Sequence, residues 1–71
     1  MYPSEERRAE RMSTIVSVLR DGVVTAEDIA AKLQVSPRTV YRYIDRLRAK
    51  GEPIRGEAGV GYMLPRVERR P

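Results

Sequence analysis

The sequence contains no cysteine and no histidine among its 71 residues. Without cysteine the chain has no disulfide and no thiolate that could attack a substrate or bind zinc. Without histidine it lacks the commonest general base and the commonest metal ligand. The remaining carboxylates, serines and tyrosines form no recognisable catalytic set. We therefore expect a protein with no enzyme activity, no metal site and no cofactor.

Long apolar stretches are absent as well. No segment approaches the roughly 20 apolar residues that span a bilayer, and the N-terminus shows no signal-peptide pattern. These absences predict a soluble, cytoplasmic protein that does not contact membranes. The length predicts one domain, and a chain this short buries only about 60% of its unfolded surface. Its core must therefore be small and simple.

The positive charge is concentrated in one segment. Residues 37–50 contain five bases and one acid, a net charge of +4 that equals the formal charge of the whole chain. Residues 4–21 are balanced, residues 22–36 and 51–64 each carry −1, and the tail from residue 65 adds +2. A basic segment of this kind is typical of an element that binds a polyanion.

Hydrophobic periodicity predicts three helices. The first runs from near Ser4 to Asp21, and the second follows a cap at Thr25. The third begins at Ser36 and Pro37, a serine cap followed by a proline in the first helical position, and ends before Gly51. The apolar positions that would face the core are Met12, Ile15, Val16 and Leu19; Ala26, Ile29, Ala30 and Leu33; and Val40, Ile44 and Leu47.

After Pro53 the period changes from that of a helix to that of a strand. Residues 54–57 and 60–64 are two short runs separated by glycines, which predicts a β-hairpin that packs Tyr62 and Leu64 on the core. Val23 and Val24 form a small strand or an extended link. The predicted fold is thus mainly α with a small β-hairpin, in one domain over residues 1–65, and residues 66–71 are a linker.

The third helix has one free face. At about 100° per residue, Arg38 and Arg42 lie opposite the apolar stripe and near the N-terminus of the helix, where recognition helices contact base edges. Arginine can donate two hydrogen bonds to guanine, and the threonine methyl can contact thymine. The cap and the first-turn N–H groups could hold a phosphate. The predicted DNA-binding residues are Ser36, Pro37, Arg38, Thr39, Tyr41, Arg42, Arg46, Lys50 and Arg55.

Several neighbouring side chains have two interpretations. Tyr41 could contact phosphates or cover the edge of the core, and Tyr43 could be functional or structural. Arg48 could bind phosphate or pair with an acid. Asp45 and Glu57 would repel phosphate wherever they lie, so each argues locally against close approach of DNA.

The runs 24–30, 35–42 and 59–64 resemble parts of a known domain. Together they resemble the N-terminal winged helix-turn-helix domain of WYL-domain and DeoR-like bacterial transcription regulators. The biotin operon repressor carries a related domain. The resemblance covers roughly residues 8–65. It departs at Tyr43, where the family often has aspartate, and at Met63, where it often has a basic or polar residue.

This resemblance implies a three-helix winged helix-turn-helix that binds double-stranded DNA. Residues 37–50 would read the major groove, and residues 53–64 would form a wing at the backbone or minor groove. It also implies a C-terminal sensor domain for an effector ligand, and the chain stops where that domain would begin. A palindromic site would require a second copy of the chain.

Two other functions fit the same fold. A winged helix can be a protein- or RNA-interaction module. It can also be the DNA-binding part of an enzyme, as in the repressor half of a biotin ligase, which predicts DNA binding without activity in this piece.

Overall fold

A computed structural model describes residues 3–65, with side chains from residue 7 onward. The first helix begins at Pro3, so Ser4 lies inside the helix and is not its N-cap as predicted, and the predicted linker at residues 66–71 lies outside the described residues. Three helices are followed by a two-stranded antiparallel hairpin, which confirms the fold class predicted above. The elements are α1 (Pro3–Asp21), α2 (Ala26–Leu33), α3 (Pro37–Ala49), β1 (Arg55–Glu57) and β2 (Gly61–Met63).

Side-chain caps fix the starts of α2 and α3. Thr25 Oγ1 accepts a hydrogen bond from the backbone N–H of Asp28 at 3.0 Å, as predicted. Ser36 Oγ accepts from the N–H of Thr39 at 3.2 Å, and the proline that follows occupies the first turn of α3. Each cap satisfies an N–H that has no partner within its own helix. Gln34 ends α2 in the left-handed conformation, with φ of 60°, and so turns the chain sharply into α3.

The three helices and the hairpin share one hydrophobic core. The inward residues of α1 and α3 are those that the periodicity predicted, except that Val16 is only half-buried and Tyr43 is buried as well. The side chains of Ile15, Leu19, Ile29, Val40 and Ile44 are almost completely inaccessible to solvent. Within residues 3–65 no helix combines the length and apolar character that a bilayer crossing requires.

The hairpin is attached to the helices by backbone hydrogen bonds. Val24 and Tyr62 form an isolated antiparallel bridge, with N···O distances of 3.0 and 2.7 Å. The N–H of Leu64 donates to the carbonyl of Leu19, which lies in the last turn of α1, at 2.9 Å. The sequence predicted a small strand or an extended link at Val23 and Val24; Val24 alone forms a one-residue bridge beside β2, and Val23 is exposed. This bridge holds the hairpin against the helices.

The second strand begins one residue later than the sequence predicted. Val60 lies in the turn and is 68% exposed, because its N–H donates to the carbonyl of Glu57 at 3.1 Å and closes the loop between the strands. The alternating pattern of Val60, Tyr62 and Leu64 thus reaches the core only through its last two members.

Candidate nucleic-acid interface

Helix α3 packs mainly on α2, and its side chains reach α1 on one flank and the hairpin on the other. On the flank toward α1, the Tyr43 hydroxyl accepts a hydrogen bond from Arg11. On the opposite flank, Tyr41 and Arg48 contact the ring of Tyr62 in β2. The inner face of α3 is buried in the core. One face of this helix is therefore left for a partner.

Arg38 and Arg42 occupy that remaining face, and both are exposed. Val40 and Ile44 on the opposite side are 0% and 1% exposed. The hairpin therefore does not cover the two arginines, which is the condition on which a reading role for this helix depends. Their guanidinium groups carry charge into solvent at the start of a helix whose position the core fixes.

More polar groups in the first turn of α3 have hydrogen-bond partners within the protein than the sequence suggested. Ser36 Oγ accepts from the Thr39 N–H and also lies 3.1 Å from Thr39 Oγ1, so the two hydroxyl groups are hydrogen-bonded to each other. Pro37 has no N–H, and the N–H of Val40 donates to the carbonyl of Ser36. Among the described residues, this leaves the N–H of Arg38 as the first-turn donor that capping does not use.

Tyr41 is half-buried at the edge of the core. Its ring meets that of Tyr62 edge to face, with centroids 6.4 Å apart. Burial raises the pKa of the Tyr62 phenol, the nearby Tyr41 raises it further, and Arg48 opposes the rise. The Tyr62 phenol therefore stays protonated at pH 7 and adds no negative charge where the hairpin packs on α3. A contact between Tyr41 and a phosphate remains a prediction.

Arg48 connects α3 to the hairpin. Its Nε donates to the carbonyl of Ile54 at 3.2 Å and its Nη2 to the carbonyl of Gly56 at 3.0 Å, while its guanidinium lies 5.6 Å from the centre of the Tyr62 ring. An acid was one of the partners predicted for Arg48, but its hydrogen-bond partners are backbone carbonyls. The sequence feature that could have indicated a contact with the hairpin is the position of Arg48 on the same flank of α3 as Tyr41, seven residues earlier.

In the sequence, Arg55 lies between Ile54 and Gly56, the two residues whose carbonyls accept hydrogen bonds from Arg48. It is exposed and opens β1, where it pairs with the half-buried Met63. Alternation along the strand places Glu57 on the same side of the hairpin as Arg55. The outer face of the hairpin thus carries one positive and one negative side chain.

Tyr43 is a core residue, 7% exposed, and it makes a contact that sequence reasoning missed. Arg11 of α1 donates through Nη1 to its hydroxyl at 3.2 Å. Where the resembling family often has an aspartate, this chain therefore has a hydrogen bond between a cation and a neutral hydroxyl. The pair joins residues 32 positions apart and connects α1 to α3.

Replacing Tyr43 with phenylalanine is expected to lower the free energy of unfolding by about 0.5–1.5 kcal/mol, because the ring is kept and only the hydrogen bond is lost. Chemical denaturation measures the change. Arg11→Ala should remove the same bond, so the double variant should be less destabilised than the sum of the two single variants. Strictly additive losses would show that the hydrogen bond contributes nothing to stability.

The remaining predicted contacts lie toward the C-terminal end of α3. Arg46 and Lys50 are both exposed, and both lie on the flank of α3 that faces α1. With Arg38 and Arg42 they make α3 the main cationic element of the described chain.

Three helices with a tight turn between the second and third, a capped cationic third helix and an attached hairpin define a winged helix-turn-helix. The sequence agrees with this class. Residues 11–63 match the model of a family described as HTH domain. The match spans most of the chain, so the chain belongs to this family and is a helix-turn-helix DNA-binding domain, a class that is typically non-enzymatic. No curated protein matches the sequence.

Proposed function

We propose that this domain reads a specific operator sequence for a cytoplasmic bacterial transcription regulator of the WYL-domain or DeoR-like kind. The observation that carries the proposal is the division of α3 into two faces. Val40 and Ile44 are buried in the core, while Arg38 and Arg42 point to solvent from the first half of the helix. Residues 1–65 form the DNA-binding domain, and residues 66–71 lead toward a C-terminal domain that senses an effector.

In this proposal the recognition helix, residues 37–50, lies in the major groove. Arg38 and Arg42 each present two parallel N–H donors, which match O6 and N7 of guanine. The hydroxyl of Thr39 is bonded to Ser36, so we expect Thr39 to contact a base through its methyl group, as on thymine. These contacts would provide the sequence preference.

Phosphates would be held around this helix. The Arg38 N–H points out of the N-terminal end of α3, where the helix dipole favours an anion, and Ser36 and Pro37 set that geometry. The side chains of Arg46 and Lys50 and the hydroxyl of Tyr41 would contact the backbone. Such contacts fix the position of the domain on the duplex without reading its sequence.

The wing, residues 53–64, would contribute through Arg55 near the backbone or minor groove. Arg48 holds the carbonyls before and after this residue, so the position of Arg55 is coupled to that of the recognition helix. Glu57 on the same side of the hairpin and the half-buried Met63 limit the wing to a minor contact.

The alternative of RNA binding is disfavoured by the aromatic residues. RNA readers commonly stack exposed aromatic rings on unpaired bases. Among residues 3–65, Tyr43 and Tyr62 are buried and Tyr41 is half-buried against the core. A protein partner remains the competing interpretation, and the dependence of binding on salt distinguishes it from DNA.

Replacing Arg42 with alanine is expected to cost about 1–3 kcal/mol of binding and to relax the base preference, since a bidentate base contact is lost. The measurement compares binding to a duplex selected from random sequence with binding to its scrambled form. Arg20→Ala removes the same charge from an exposed position on α1 and serves as the control. Unchanged discrimination in Arg42→Ala would exclude this residue from reading the sequence.

The parent protein should bind its selected duplex more weakly as salt rises. With Arg46 and Lys50 at one phosphate and Arg55 at another, the log–log slope should be about −2, at about −0.9 per phosphate neutralised. A flat slope would instead support a protein partner. The same selection shows whether the preferred site is palindromic, as binding by two copies requires.

A further inference from the structure

Four cations recur at every fourth position along α3 and its C-cap: Arg38, Arg42 and Arg46 lie in the helix and Lys50 is the C-cap residue. Neighbours in this row are about 6 Å apart along the helix, and each step turns the row by about 40° around the axis. The row therefore begins on the free face of α3 and leaves that face as it proceeds. It ends on the flank toward α1.

An open groove of about 490 Å³ lies where the row ends. Its α3 side is Arg46, Ala49 and Lys50, and its α1 side is Arg8, Ala9 and Met12. Three cations from two helices thus surround a space with a small apolar floor.

Arg8 is exposed although it lies on the same side of α1 as the core residues. The core begins one turn later, at Met12, so the side chain of Arg8 faces the groove rather than packed residues. The exposed Glu10 lies about 160° away around α1. It therefore does not neutralise the groove.

Among the described side chains, the other surfaces beside α3 carry acids as well as bases, and the exposed Asp45 lies near the start of the row. A larger groove of about 880 Å³ on the far side of Lys50 carries Asp21 and Glu52 as well as Arg20. On the hairpin side, Glu57 offsets Arg55, and the guanidinium of Arg48 is bound to carbonyl groups. Positive potential therefore extends from the recognition face toward α1 rather than toward the hairpin.

We infer that the DNA contact continues from α3 onto α1, where Arg8, Arg46 and Lys50 together hold one backbone phosphate. This inference rests on the proposed function and adds a residue and a direction to it. A phosphate group suits the site because its oxygens accept several charge-assisted hydrogen bonds at once. The unbroken row from Arg38 to Lys50 favours DNA over an acidic peptide, since one polyanion can follow the whole row.

Replacing Arg8 with alanine tests the inference in the full chain. Selected and scrambled duplexes should both bind about three- to tenfold more weakly, while the salt slope should change by less than about 0.9 because Arg46 and Lys50 still neutralise the same phosphate. Arg8→Lys keeps the charge and should recover most of the affinity. Arg7→Ala is the matched control, because it removes the same charge from an adjacent exposed position that does not line the groove.

The outcomes separate this inference from the proposed function. If the parent protein shows no salt-dependent binding to duplex DNA, the proposed function fails, and this inference fails with it. If Arg42→Ala loses base preference but Arg8→Ala binds like the parent or like Arg7→Ala, only the α1 contact is overturned. Binding of an acidic peptide that depends on Arg8, with DNA binding unaffected, would overturn it as well. Thermal denaturation of Arg8→Ala should match that of the parent because the side chain is exposed.

Discussion

Replacing Ile44 with alanine is expected to remove about half of the free energy of unfolding of the domain. Ile44 is 1% exposed and lies on the inner face of α3 within the shared core. Truncating a buried isoleucine costs about 2–5 kcal/mol, because apolar contacts are lost and a cavity remains. The whole domain is expected to be stable by only about 4–10 kcal/mol at this length. The loss is therefore a large share of the total.

Urea denaturation of Ile44→Ala, Ile44→Val and Arg42→Ala makes this a test of both faces of α3. The valine variant should lose about 0.5–1.5 kcal/mol, and the arginine variant should stay within about 0.5 kcal/mol of the parent. Arg42→Ala should lose DNA discrimination without losing stability, and Ile44→Val the reverse. If Ile44→Ala were as stable as the parent, the division of α3 into buried and exposed faces would be wrong.

The parts of the structure that depend on local chemistry were predictable. The start of α3 follows from a serine that can accept the Thr39 N–H and a proline that has no N–H to satisfy. The inner face of α3 follows from the spacing of Val40, Ile44 and Leu47. Because the inner face was predictable, so was the exposure of Arg38 and Arg42.

The parts that depend on which element lies beside α3 were not predictable. The role of Arg48 requires the carbonyls of residues 54 and 56 to come within hydrogen-bond distance, and the hairpin's position is not encoded in α3. Arg11 and Tyr43 meet only because α1 packs along the other flank. The same packing brings Arg8 to the end of the cationic row, whereas in the sequence Arg8 is one of several arginines balanced by nearby glutamates.

The second large effect is expected at Gly56, at the centre of the wing. Its φ is +117°, and a Cβ atom there would overlap the carbonyl oxygen of Gly61 and lie 2.8 Å from Cα of Tyr62. Both are backbone atoms, so the contact can be relieved only if the strands separate. Gly56→Ala is therefore expected to destabilise the protein by roughly 2–5 kcal/mol, which combines backbone strain with overpacking.

Gly59→Ala is the matched control for this effect. Gly59 also has a positive φ, of +86°, but an added Cβ meets no atom within 4 Å, so only the strain of about 1–2 kcal/mol should appear. Opening the hairpin at Gly56 would also remove the carbonyl that Arg48 binds and would free Arg55 from its position. The Gly56 variant should therefore lose both stability and the contribution of Arg55 to the salt slope, whereas the Gly59 variant should keep that contribution. Equal stability in the two variants would mean that the strands do not approach each other this closely in solution.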